Sequence, residues 1–151
     1  MHKTRILVVD DEPEIVETLK HCLTVRGYEA EGALSVAQAL QSLAEKQADV
    51  ILLDLKMPGL DGADFAKIVR QRYPEIKIIM VTAYPDAASS LYNQNLLEAL
   101  FTKPVQFQEL YTAIVSLEER IKKEVKTTIL SLKMKLFTDV LRTNVQNYKF
   151  N

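Results

Sequence analysis

From Arg5 to about residue 120 the chain alternates short apolar runs with longer segments whose apolar residues recur three and four apart. That is the signature of repeated β–α units. Ile6 to Val9, Val50 to Leu53 and Ile76 to Val81 are rich in Val, Ile and Leu without polar alternation, as parallel strands buried on both faces require. Tyr28 to Ala33 and Ala99 to Thr102 are two weaker strands. Between them the pattern predicts a helix over Pro13 to Arg26, striped by Ile15, Val16, Leu19, Cys22 and Leu23. A second runs from Ser35 to Glu45, where Ser35 and Gln38 form a capping box. A third, about Ala63 to Tyr73, turns Phe65, Ile68 and Val69 inward and stops before Pro74. A shorter helix follows Pro85, and a fifth starts near Gln106. Pro13 suits a first turn and Gly27 a helix end.

Right-handed crossovers fold such a series into an α/β, doubly wound, five-stranded parallel sheet, with ligands in the crevice beyond the carboxyl ends of the strands. Those ends carry Asp10, Asp11 and Glu12 after the first strand, Asp54 after the third, Thr82 after the fourth, and Lys103 and Pro104 after the fifth. No Gly-x-Gly-x-x-Gly and no Gly-x-x-x-x-Gly-Lys follows any strand, which argues against dinucleotides and nucleoside triphosphates. Any single strand-end Asp reads as a cap or turn former, and a lone lysine as a surface residue. Their joint placement at four strand ends of one crevice points to chemistry. Three aspartates at one sheet edge repel unless a cation joins them, and an all-oxygen set suits Mg²⁺. An aspartate beside such an ion can act as a nucleophile toward phosphorus, with Lys103 and the Thr82 hydroxyl as donors to the transferred group. Asp54-x-x-Met57-Pro58-Gly59-x-Asp61-Gly62 lacks the alternating acids and terminal Glu of a calcium loop and reads as two turns.

Composition leaves this picture intact. The 151 residues are 48% hydrophobic and 26% charged, enough for one core. One cysteine, Cys22, allows no internal disulfide, fits a reducing cytoplasm, and is expected to pack in the core. The apolar run after Met1-His2-Lys3-Thr4-Arg5 is too short for a signal peptide, so neither export nor membrane insertion is expected.

Charge divides the chain. Residues 1–120 hold 12 Lys and Arg against 18 Asp and Glu, a balance of −6, while residues 121–151 hold 7 against 2, a balance of +5. Those cations interleave with Leu, Ile and Val, which describes the solvated face of a helix, and nucleic-acid binding is not expected. From Leu110 the apolar positions continue through Ile114, Leu117, Ile121, Val125, Ile129, Leu132, Leu136 and Val140. These eight steps cover 30 residues, a mean near the roughly 3.67 of an eleven-residue repeat. One long helix is expected, with a stripe that calls for a partner, most simply another copy of the chain. The predicted division is 1–120 for the α/β domain and 121–151 for a helical extension.

Leu7-Val8-Val9-Asp10-Asp11-Glu12-Pro13, Leu52-Leu53-Asp54-Leu55-x-Met57-Pro58-Gly59-x-Asp61-Gly62, Val81-Thr82-Ala83 and Thr102-Lys103-Pro104 together resemble the receiver domain of bacterial two-component response regulators. The resemblance covers about residues 3 to 120 and implies a flavodoxin-like strand order of 2-1-3-4-5. It implies phosphoacceptance at Asp54 from a histidine kinase or histidine phosphotransfer protein. In that reading Asp11 ligates Mg²⁺ directly, Asp10 acts through water, the Lys56 backbone carbonyl adds a ligand, and Lys103 contacts the phosphoryl group. The Lys103–Pro104 bond is expected cis. The resemblance also places Lys56 and Tyr84 beside the path of attacking water. The chain departs from the family in carrying Leu100 where an aromatic residue is usual and Asn93-Gln94-Asn95-Leu96-Leu97-Glu98 where small residues and glycine are usual. It is thus read as a switch rather than an enzyme, cytoplasmic and paired through its tail. Two alternatives stand beside it. A haloacid-dehalogenase-type aspartyl-phosphate hydrolase needs an acid–base Asp two residues after its nucleophile, where Glu12 and Lys56 stand. The input fragment of a DNA-binding transcription regulator would need a reader that nothing after residue 120 resembles.

Overall fold

A computed structural model describes residues 2–148. In chain order the elements are β1 (Arg5–Val9), α1 (Pro13–Val25), β2 (Glu29–Ala33), α2 (Val36–Glu45), β3 (Val50–Leu53), α3 (Gly62–Arg72), β4 (Lys77–Thr82), α4 (Pro85–Asn93), β5 (Ala99–Thr102) and α5 (Phe107–Tyr148). The five strands form one parallel sheet in the order β2-β1-β3-β4-β5. The expected architecture is present, with boundaries shifted by one or two residues.

The order follows from burial. β1, β3 and all of β4 but Lys77 are buried, and they hold the centre, while the half-buried β2 and β5 take the edges. Ile51, Leu53, Ile78 and Met80 pack with Phe65, Ala66 and Val69 of α3, forming the core on that side. In α3 the inward positions are Phe65, Ala66 and Val69, while Ile68, about 100° round the helix from the centre of that face, is only half-buried. Cys22 is also half-buried and does not join the core; of the α1 stripe only Val16 and Leu23 are fully enclosed. Ser35 caps α2 by accepting from Gln38 N–H at 3.2 Å, but the Gln38 side chain returns to the N–H of Leu34, one residue earlier than a capping box requires.

Two arginines tie the sheet's surroundings together. Arg5, 3% exposed, reaches Glu31, Ser42 and the Lys46 carbonyl at the end of the sheet opposite the crevice. Arg70 of α3 donates twice to the Leu96 carbonyl, at 3.1 and 2.9 Å, and once to that of Ile76. It thereby holds the α4–β5 connection, where Asn95 takes the left-handed conformation (φ 57°) that ends the nine-residue α4 without a glycine.

The chain divides into two compact units, residues 1–110 and 111–151. In the second unit Ile114 and Leu117 are buried, whereas every residue from Lys122 to Gln146 is exposed. Among the described residues no helix is long and apolar enough to cross a membrane.

Candidate functional site: a carboxylate cluster with one lysine

Four strand ends deliver the site. The Asp54 N–H donates to the Val9 carbonyl at 2.9 Å and the Asp10 N–H to that of Ala33 at 3.1 Å, so both aspartates continue the sheet's hydrogen bonding just past their strands. Carboxylate oxygens of Asp10, Asp11 and Asp54 lie within 4.8 Å of one another. Asp10 and Asp54 are buried and Asp11 is half-buried. Just past β5, the Lys103 N–H donates to the Thr82 carbonyl at 2.8 Å, which joins the ends of β4 and β5. From there the Lys103 ammonium reaches Asp10 Oδ2 at 2.6 Å, Asp54 Oδ2 at 3.5 Å and Glu12 Oε1 at 3.7 Å. The Lys103–Pro104 peptide is cis, as expected.

The electrostatics are those of excess negative charge around one cation. Burial pushes the Asp54 carboxyl above its ordinary range and neighbouring Asp10 adds to that, while Lys103 pulls the other way. Burial works to lower Lys103, but its bond to Asp10 and the charges of Asp10, Asp54 and Glu12 outweigh it and lift the ammonium above its usual value. One lysine does not balance three carboxylates, and the oxygen-only donor set fits a hard divalent cation.

Thr82 is fully buried, and its Oγ1 accepts from the Tyr84 N–H at 3.0 Å. Lys56 stands two residues beyond Asp54 in the β3–α3 loop with its side chain exposed. Leu100 is half-buried against the core, while Phe101 is half-buried and outside that cluster. An open groove of about 550 Å³, mostly apolar and including Ile15, Leu19, Val81, Pro104 and Val105, runs beside Lys103.

Sequence reasoning placed Glu12 at this edge without a role and passed over Gly62. Glu12, expected at this edge from the acidic run after β1, is a further carboxylate facing Lys103. Gly62 was read as part of a turn. In the structure a Cβ there would stand 2.1 Å from the Asp54 carbonyl oxygen and 2.9 Å from Leu55 Cα, and the Gly62 N–H donates to the Leu55 carbonyl at 2.8 Å. This glycine lets the start of α3 rest against the backbone that carries Asp54.

Fold and site together define a doubly wound α/β domain whose strand ends gather carboxylates around one lysine. The sequence matches the response regulator receiver domain family over residues 6–115, and the chain belongs to that family. It is 36% identical over 111 residues to the DNA-binding transcriptional regulator NtrC of Escherichia coli K12, covering 72% of this chain. It is 33% identical over 112 residues to the response regulator protein PilR of Pseudomonas aeruginosa, covering 73% of this chain. The matches span only 24% of NtrC and 25% of PilR. Among solved structures, a CheY-like receiver domain protein of Methanospirillum hungatei superposes with a TM-score of 0.77 at 30% identity, covering 82% of this chain and 99% of that one. Response regulator TrrA of Thermotoga maritima, in complex with Mg²⁺ and BeF, gives 0.69 at 37% identity, covering 76% and 98%. This chain is accordingly a phosphoacceptor switch of two-component signalling.

Proposed function

We propose that Asp54 is the acceptor, and that it takes its phosphoryl group from a histidine kinase or histidine phosphotransfer protein. The observation that carries this is the Lys103 ammonium lying between Asp10 and Asp54 at the carboxyl edge of the sheet, 2.6 and 3.5 Å from their oxygens. An Asp54 carboxylate oxygen attacks phosphorus, the P–O bond forms as the donor's P–N bond breaks, and the electron pair returns to the imidazole. Lys103 stabilises charge on the transferred oxygens, and the Thr82 hydroxyl, whose oxygen accepts from the Tyr84 N–H, donates its own proton to a phosphoryl oxygen. Asp10, Asp11, Asp54 and the Lys56 carbonyl would hold Mg²⁺, which would neutralise charge on the phosphoryl oxygens. The Mg²⁺ and BeF bound by TrrA support this reading. The apolar groove beside Lys103 suits the donor segment that presents the histidine. The chain assists its own phosphorylation and dephosphorylation and turns over no other substrate.

The domain is taken as residues 1–120, with 121–151 as an extension that pairs two chains in the cytoplasm. Ten exposed apolar side chains between Val125 and Val145 support the pairing. The DNA-binding description of NtrC is not carried over, because the match spans only a quarter of that protein and residues 122–146 show no reader motif. Nothing favours a hydrolase.

Incubation with Mg²⁺ and phosphoramidate followed by intact mass measurement tests the assignment. One added phosphoryl mass is expected, absent from Asp54→Asn. The same labelling in that variant overturns it.

A further inference from the structure

Glu12 stands at the N-cap position of α1, yet its side chain makes no cap hydrogen bond and turns to the Lys103 ammonium, 3.7 Å away. Its backbone is held on both sides. The N–H donates to Asp10 Oδ1 at 2.9 Å, and the carbonyl accepts from the N–H groups of Ile15 and Val16 at 3.1 and 3.2 Å. The Glu12 side chain is 63% exposed, and an ion pair that open to water adds little stability. Neither capping nor stability therefore accounts for a carboxylate kept beside this lysine. Its charge does act at the mouth of the site, where the carboxylates of Asp10, Asp11 and Asp54 already outnumber the one ammonium.

We propose that Glu12 is a specificity-determining residue that selects phosphodonors by charge, favouring a phosphorylated nitrogen over an acyl phosphate. This rests on Asp54 as the acceptor under the proposed function. A phosphoryl oxygen hydrogen-bonded to Lys103 would come within roughly 7 Å of the Glu12 carboxylate. Unit charges that far apart in water interact by about RT, a factor of about three in rate for each negative charge a donor brings. Acetyl phosphate brings two near neutral pH; attack by Asp54 breaks its P–O bond, and acetate leaves with the electron pair. Phosphoramidate brings a net charge of one, because its nitrogen carries an extra proton; its P–N bond breaks, and ammonia leaves with the pair. A phosphorylated histidine, whose free ring nitrogen takes up a proton near neutrality, belongs with the second kind.

Second-order rates of phosphoryl labelling of the full chain, read by intact mass at saturating Mg²⁺ and low ionic strength, test this. The rate with acetyl phosphate divided by that with phosphoramidate should rise about threefold in Glu12→Gln. Any loss of folded protein cancels from that ratio, since both donors label the same variant. Near 1 M salt, where charges are screened within about 3 Å, the rise should vanish. Glu12→Asp, which keeps the charge, should retain the parent ratio. So should Glu75→Gln, which removes an exposed carboxylate shortly before β4, at the opposite edge of the sheet. An unchanged ratio in Glu12→Gln, a rise that persists in salt, or an equal rise in Glu12→Asp or Glu75→Gln overturns the charge selection while the acceptor assignment stands. Labelling that survives Asp54→Asn, or a parent that neither donor labels, overturns the assignment and this inference with it.

Discussion

The Lys103 ammonium donates to Asp10 Oδ2 at 2.6 Å although 93 residues separate the two in sequence. Lys103 is 17% exposed and the Asp10 side chain 5%, so this is a pair largely withdrawn from water. With Asp54 alongside, it places the site's one lysine where the transferred phosphoryl group would arrive.

Lys103→Met should therefore destabilise the protein in chelator, on the order of 3 kcal/mol, because it leaves buried carboxylates without their cation. Saturating Mg²⁺ should recover much of that loss, and the rate of phosphoryl labelling should fall at least tenfold. Urea denaturation with and without Mg²⁺ reads the first effect and intact mass the second. A loss that Mg²⁺ leaves unchanged would show that the pair's role is packing alone.

The raised carboxyl of Asp54 fixes the sign of a pH effect. A carboxyl whose folded pKa exceeds its unfolded one binds more protons when folded, so stability falls as pH rises between the two values and stays lower above them. In chelator, Asp54→Asn should melt several degrees above the parent at neutral pH, and the gap should close in acid below the unfolded carboxyl value. Differential scanning calorimetry across that range checks it. A mutant less stable than the parent at pH 7 contradicts the electrostatic account.

Gly62→Ala would push a Cβ against the Asp54 and Leu55 backbone, and backbone yields less readily than a flexible side chain. A cost of about 1 to 3 kcal/mol is expected, with labelling at Asp54 slowed because the acceptor's own peptide is displaced. Gly59→Ala is the comparison. It meets nothing within 4 Å and suffers only the strain of φ 82°, about 1 to 2 kcal/mol, and should label at the parent rate. Equal slowing in both variants would mean that the close approach at Gly62 has no bearing on the acceptor.

Tyr84 is tied to the site through its backbone, which donates to Thr82, while the residue as a whole is 55% exposed. If its ring obstructs water, Tyr84→Ala should shorten the lifetime of the phosphorylated form about threefold or more, whereas Tyr84→Phe should not. The decay of the phosphoryl mass after donor removal measures this. An unchanged lifetime in Tyr84→Ala removes the ring from the hydrolysis path.

The periodicity of the chain by itself determined its ten elements, and the apolar content of β1, β3 and β4 determined which strands are central. It also determined which chemistry gathers at the crevice, since residues just past consecutive parallel strands must share one edge. Even α5 was legible as a single helix, because no Gly or Pro follows Pro104. What the sequence left open depends on contacts between distant segments, for which local pattern carries no signal. Cys22 looked like core and is half-buried; Ala66 rather than Ile68 faces inward; Arg5 and Arg70 find partners 26 to 41 residues away. Gly62 appeared as half of a turn until the fold set it against the Asp54 carbonyl. Only the tertiary structure could decide these, because each turns on a distance of a few ångströms between segments that the chain folds together, and spacing along the sequence does not encode that distance.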